Sequence, residues 1–338
     1  MTHRLLVQDA IHFNNPERIP HYLPDKQEND LIWLWFPSPE PQQDWHPKDD
    51  STDIMTDAWG TQFYRAKHGT LGRGEVYQPA MHSIEHQDTY EFPDLHQPRF
   101  VEPVRTRIQE NNRDETPKYC LGVLPFSSLN EGTHNLVGMQ AMMMAYYQHP
   151  NELKAFIARL ASKQRESIQI CADIGCDGVM GYDDWGLQSS LMVSKALIYE
   201  FFMPHYEANW QFARTLGLDV WLHSCGYILD ILPDFHQAGL TVIQQDQQEN
   251  MGLERLAETV GGKLSFWCPV DIQNTMIHGT LEQIDVYCKR MIQTLGSFSG
   301  GFVSMAYSTP DDINHTPERI QAMCNAFRKY ERCFRQEE

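Results

Sequence analysis

The sequence predicts an α/β fold, a (β/α)8 TIM barrel with an irregular, loop-rich N-terminal extension, and three observations predict it. From about residue 118 onward, short apolar runs alternate with helical runs. Polar and thiol side chains gather just after the apolar runs, while the runs themselves stay apolar. The chain has 338 residues, 41% of them apolar, a length that a closed barrel fills and that buries a large core.

Six strands are predicted: Tyr119–Leu124, Gly178–Tyr182, Asp219–Leu222, Leu240–Gln244, Leu264–Trp267 and Gly301–Met305. Helices are predicted over Asn151–Cys171, Lys195–Leu216, Ile228–Ala238, Leu253–Val260, Leu281–Leu295 and Pro317–Tyr330. In the first of these, Leu153, Phe156, Ile157 and Leu160 recur at helical spacing, and Asn151 is read as its N-cap. Gly217 and Gly239 stand where helix C-caps belong. Alternation of this kind implies a parallel sheet covered by helices. Six repeats are visible, and two more strands are expected within the first third. That count favours closure over an open sheet. No Gly-x-Gly-x-x-Gly follows a strand, so a dinucleotide fold loses support.

Residues 1–117 are the irregular part. They are dense in Pro, His, Trp and Asp, as in Pro37-Ser38-Pro39-Glu40-Pro41. Proline at that density breaks helices and central strands. Their many aromatics argue against disorder. We expect them to decorate a single domain over 1–338, covering the barrel mouth. The histidines here, among them His12, His21 and His46, lack ligand spacing and are read as surface or loop residues. The Met142-Met143-Met144 run is read as helical core.

A net charge of −18 argues against nucleic acid, which needs a basic stripe. No stretch approaches the ~20 apolar residues of a membrane span. Met1–Gln8 shows no signal pattern, and a cytoplasmic location is expected. Eight scattered cysteines form no Cys-x-x-Cys knuckle, which disfavours a structural zinc ribbon.

In a barrel, side chains at the C-terminal strand ends face the active site. Those ends read Pro125-Phe126-Ser127, Asp183-Asp184-Trp185-Gly186, His223-Ser224-Cys225-Gly226, Gln245-Asp246-Gln247, Cys268-Pro269-Val270-Asp271 and Ala306-Tyr307-Ser308. His223 and Cys225 are two apart, so in extended chain both point one way. An imidazole and a thiolate on one side make half of a tetrahedral zinc site. They equally suit an ordinary packed histidine and thiol. Cys268, at a strand end two elements later, is the candidate third ligand, or else a buried small hydrophobe. Asp183 and Asp184 form an acidic pair whose pKa values can separate, leaving one as base or acceptor. The alternative is that one caps a helix. Gln245, Asp246 and Asp271 are weaker catalytic candidates of the same sort.

These stretches carry a family resemblance. Asn15-Pro16-Glu17-Arg18-Ile19-Pro20, Asp57-Ala58-Trp59-Gly60, Gly181-Tyr182-Asp183-Asp184-Trp185-Gly186, Trp221-Leu222-His223-Ser224-Cys225-Gly226, Phe266-Trp267-Cys268-Pro269-Val270-Asp271 and Thr316-Pro317-Glu318-Arg319-Ile320 occur in order along nearly the whole chain. In them the chain resembles the uroporphyrinogen decarboxylase superfamily, which includes cobalamin-dependent methyltransferases. The arginine-containing motif of true uroporphyrinogen decarboxylase is missing from His12–Arg18, so the resemblance leans to the methyltransferase branch. It implies zinc held by His223, Cys225 and a further cysteine, activating a thiol or similar nucleophile. The family's late cysteine is absent from Ser304-Met305-Ala306-Tyr307, which leaves Cys268 as the expected third ligand. Water, substrate or a nearby carboxylate would take the fourth position. The resemblance also implies a small-molecule substrate and a separate corrinoid protein as partner. A metal-free decarboxylase or lyase, with the acidic pair protonating a carbanion, and a non-catalytic ligand-binding barrel are the other readings.

Overall fold

A computed structural model describes residues 1–24, 29–35, 45–67, 74–124 and 129–334. Eight parallel strands form a nearly closed barrel. They are β1 (His21–Tyr22), β2 (Leu31–Trp35), β3 (Tyr119–Val123), β4 (Gly178–Tyr182), β5 (Asp219–His223), β6 (Val242–Gln244), β7 (Ser265–Cys268) and β8 (Phe302–Met305). Around the sheet the order is β1-β8-β7-β6-β5-β4-β3-β2. The six expected strands are present within one or two residues at each end. The two hidden ones are β1, only two residues long, and β2, which lies within the proline-rich first third.

The β1–β2 seam is joined by side chains more than by a ladder. Asp30 accepts from the His21 backbone N–H at 2.7 Å, and its own N–H donates to the His21 carbonyl at 3.0 Å. Asn29 brackets Leu23 in the same reciprocal way. Arg18 clamps Asp30 through both carboxylate oxygens at 2.7 and 2.8 Å, the strong two-pronged form of this pair. His21 is therefore a buried strand residue, not a surface histidine. Its ring lies 2.7 Å from Ser304 Oγ and 3.1 Å from Glu331, tying β1 to β8 and to the C-terminal end of helix Pro317–Tyr330.

Strand residues alternate between two cores. Leu31, Tyr119, Leu121, Val123, Met180, Tyr182, Trp221, Val242, Trp267, Val303 and Met305 fill the barrel interior. Cys120, Val179, Val220, Leu222, Ile243, Phe266, Cys268 and Phe302 pack outward beneath the helices. This is the two-residue period of an extended chain.

The helix His3–Ile11, capped by Thr2 Oγ1, closes the N-terminal end of the barrel. Val7 and Ile11 join the interior cluster, and the Ile11 and Ala10 carbonyls accept from Ser265 Oγ and Gly301 N–H at the strand starts. Residues 46–78 contain a four-stranded antiparallel sheet that the sequence reading did not anticipate. It is fastened to helix Asn130–Val137, which follows β3: Thr61 Oγ1 donates to the Asn135 carbonyl, and Met81 N–H to that of Leu136.

Of the outer helices, Leu253–Val260, Leu281–Leu295 and Pro317–Tyr330 have the expected bounds. The expected Lys195–Leu216 helix is two, Lys195–Phe201 and Met203–Thr215, broken at Phe202 just ahead of Pro204. Asn151 is not an N-cap. The helix starts at Pro150, with proline in the first turn where its missing N–H is harmless. Of the methionine run only Met142 is buried, and Met144 is exposed. Among the described residues no helix is long and apolar enough to cross a membrane.

Candidate metal centre

The C-terminal ends of β4 and β5 carry the site. Register places Tyr182, His223, Gln244 and Trp267 in one row across β4, β5, β6 and β7. Tyr182 and Trp267 belong to the interior core, so this row faces the barrel axis. His223 Nε2 lies 3.3 Å from Cys225 Sγ and 3.4 Å from Asp184 Oδ1. The three donor atoms all fall within 4.8 Å of one another. Around a tetrahedral ion, N, S and carboxylate O donors at their usual bond lengths stand roughly 3.4–3.6 Å apart. Both distances from His223 Nε2 are close to that spacing. One carboxylate, one thiolate and a neutral imidazole would together balance a dication.

Local backbone geometry makes this approach possible. Gly226 has φ +73°, and a Cβ there would stand 2.4 Å from the Gly186 backbone. Gly186 answers from the other side, where a Cβ would meet Cys225 O and Tyr227 N. With no side chain at either position, the loops after β4 and β5 zip together. Gly186 N–H donates to the Cys225 carbonyl, Tyr227 N–H to that of Leu187, and Trp185 N–H to Ser224 Oγ. The Cys225 N–H donates to Asp184 Oδ1 at 2.7 Å, fixing the carboxylate beside the thiol.

The electrostatics follow from burial and pairing. Burial alone would raise the Asp184 carboxyl, but His223 and the Cys225 N–H hold it at about 2, so it is ionised at neutral pH. Burial opposes charge on His223, yet Cys225 and Asp184 raise its pKa well above the ordinary value. Burial raises the Cys225 thiol, and His223 pulls it back down. The Asp184 side chain is 32% exposed against 8% for His223, so the cluster opens to solvent on the carboxylate side.

The remaining sequence candidates sit elsewhere. Asp183 is fully buried, and both of its oxygens are spent. Oδ2 accepts from the Leu129 and Asn130 N–H groups and from Tyr206 Oη, and Oδ1 accepts from Glu131 N–H. It anchors the start of helix Asn130–Val137. Gln245 donates to the Ser224 carbonyl at 2.6 Å and so braces the loop of the site. Asp271 accepts from the backbone N–H groups of Gln273, Asn274 and Thr275, holding its own loop. Cys268 is buried on the outward face among Phe266 and the helices, one residue past the inward Trp267. The structure does not bring it to His223 and Cys225, and Asp184 stands in the third position instead. Pro125-Phe126-Ser127 lies outside the described residues.

Asp246, a weaker candidate from the sequence, does lie beside the site, and two further neighbours, Gln244 and His134, escaped the sequence reading. Gln244 and Asp246 face the far side of the His223 ring. His134, on the helix after β3, feels the Asp184 charge, but burial dominates and holds its pKa at about 4. Gln244 could have been found by counting parity back from the β6 end.

A nearly closed parallel barrel with a polar cluster at its C-terminal strand ends is the TIM-barrel layout in which active sites are found. The model of the family "uroporphyrinogen decarboxylase (URO-D)" matches residues 125–330, more than half of the chain, and the chain belongs to that family. No curated protein matches it in sequence. In structure it is similar to a methyltransferase from Methanosarcina mazei, with 13% identity and a TM-score of 0.67, over 98% of this chain and 99% of that one. Weaker likenesses are to a D-psicose 3-epimerase from Clostridium cellulolyticum H10 (10% identity, TM-score 0.42, 74% of this chain and 87% of that one) and a chitinase from Chromobacterium violaceum (9%, 0.41, 91% and 98%). At these identities the likeness concerns the fold.

Proposed function

We propose that the chain is a zinc-dependent methyltransferase that works with a corrinoid carried on a separate protein. The observation that carries this reading is the Asp184–His223–Cys225 cluster at the barrel mouth, with donor spacing that suits a tetrahedral ion. Three protein donors leave one position open, the usual arrangement of catalytic rather than structural zinc. When bound there, a dication supplies Lewis acidity that lowers the pKa of a substrate thiol or similar nucleophile.

The chain's own residues prepare that position. Asp184 brings a carboxylate already ionised at neutral pH. Cys225 is held in place by its backbone bond to Asp184, and its loop by the Gly226–Gly186 contact. The Tyr182 ring, 5.2 Å from that of His223, walls the interior side. The decarboxylase reading needs an acidic pair free to protonate a carbanion. Asp183 is committed to four hydrogen bonds, so that pair is reduced to Asp184 alone.

Metal analysis of protein purified without chelator tests the proposal. About one zinc per chain is expected, falling sharply in Cys225→Ser. Zinc far below one equivalent, and no change in that variant, would overturn it. Transfer of a methyl group from methylcobalamin to small thiols, followed by the corrinoid spectrum, tests the chemistry separately.

A further inference from the structure

We infer that Gln244 and Asp246 are positioning residues that set the tautomer of His223 and thereby present its Nε2 to the metal. The inference rests on the metal reading proposed above and concerns the opposite edge of the same ring.

The Asp246 side chain is largely buried, and Gln244 Nε2 donates to its Oδ1 at 2.8 Å. A carboxylate can only accept here, so the Gln244 amide nitrogen must point to it. The same nitrogen lies 3.2 Å from Met305 Sδ, a second weak acceptor that favours the same orientation. The amide oxygen is thereby turned to His223, and Gln244 Oε1 contacts His223 Nδ1. Nδ1 must carry the proton to donate to that oxygen. A neutral ring protonated on Nδ1 keeps its lone pair on Nε2, the nitrogen that faces Cys225 Sγ and Asp184. Asp246 Oδ2 is itself 3.9 Å from Nδ1, so its charge favours the same protonation. The chain Asp246, Gln244, His223 has one consistent set of donors and acceptors. Outer partners of this kind orient a ligating histidine and are worth 10–100-fold in metal affinity.

Cobalt(II) titration, followed by its visible absorption, gives the dissociation constant in wild type, Gln244→Met, Asp246→Leu and Asp246→Asn. Gln244→Met keeps the volume and removes the acceptor. Asp246→Leu leaves the glutamine free to turn its amide nitrogen toward Nδ1. Both are expected to weaken cobalt about 10–100-fold. Asp246→Asn can still accept from Gln244 and is expected to stay within a few-fold of wild type. Proton NMR of the cobalt-loaded protein supplies a readout that general destabilisation would not move. A hyperfine-shifted ring N–H of His223, visible in H2O and lost in D2O, should persist in wild type and Asp246→Asn. It should broaden by exchange in Asp246→Leu, even with cobalt bound. Equal affinities and an equally protected N–H in all four proteins would overturn the inference while leaving the metal reading intact. Failure of the wild type to bind cobalt would overturn both.

Discussion

His223 Nε2 stands 3.4 Å from Asp184 Oδ1, and both come from the ends of adjacent barrel strands. A carboxylate therefore occupies the place that a third cysteine was expected to fill. Asp184→Asn removes the negative charge but can keep the bond from the Cys225 N–H. We expect the variant to fold but to lose up to about 2 kcal/mol, since the pairing with His223 that holds the carboxyl at about 2 is lost. Its zinc content should fall several-fold. Equilibrium dialysis with zinc, set beside a thermal melt, separates the two effects.

Asp183→Asn should behave in the opposite manner. The carboxylate accepts four bonds on two oxygens. An asparagine offers one oxygen, and its amide nitrogen would face a buried N–H donor. Leaving such groups unpaired costs about 2–4 kcal/mol. Urea unfolding should show that loss, with metal affinity changed only as far as the helix after β3 shifts.

Asp57→Asn makes the same chemical change with the reverse sign. Asp57 Oδ1 alone accepts from both the Trp59 and Thr61 N–H groups at 2.9 Å, so an asparagine oxygen can keep both bonds. Burial raises the Asp57 carboxyl to about 6 despite those bonds. The folded protein thus holds the proton more tightly than the unfolded chain. The resulting stability is fully present below the unfolded value near 4 and is lost as pH rises through 6. Two units correspond to at most about 3 kcal/mol, less with solvent screening at this partly open turn. The variant should match wild type at pH 4 and melt higher at pH 7–8.

The barrel was legible because six of its strands are apolar runs with polar ends, a pattern that alternation exposes directly. β1 was hidden because it is two residues long and held by Asp30 and Asn29 side chains, which leave no periodic trace. The antiparallel sheet was hidden because its strands are short and lie half-exposed, without a clean apolar alternation, although Ile54 and Met55 pair with Tyr64 and Phe63. At the site, His223, Cys225 and Asp184 could be named from strand-end position alone. The errors there are errors of parity. Of the pair that faces the ring, Asp246 was legible as a strand-end carboxylate and Gln244 was missed, while Gln245 and Cys268 each stand one residue from an inward position. A shift of one residue exchanges the two faces of a strand, and composition cannot reveal it.

Gly226→Ala tests how closely the two site loops must approach. The new Cβ would fall 2.4 Å from Gly186 C and O and 2.6 Å from Leu187 O, all backbone atoms without a flexible end to yield. The positive φ adds strain of its own. We expect a loss of about 2–4 kcal/mol and a displaced Cys225. Metal affinity should fall in step with the melting temperature, unlike in Asp184→Asn, where affinity falls well beyond the modest loss of stability.

Cys268→Ala decides between the two candidates for the third ligand. The thiol is fully buried, and burial raises its pKa far above the range in which a thiolate forms at neutral pH. Its neighbours are the outward core, and its register partner on β8 is Ser304, itself bonded to His21 at the β1 seam. Removing the sulfur leaves a small cavity, worth about 1–2 kcal/mol. Zinc content should remain at the wild-type value, because no donor has been lost from the Asp184–His223–Cys225 cluster. Parallel metal analysis of Cys268→Ala, Asp184→Asn and Cys225→Ser reads this directly. Loss of zinc in the first with retention in the second would mean that the strand-end sulfur reaches the site and the carboxylate does not.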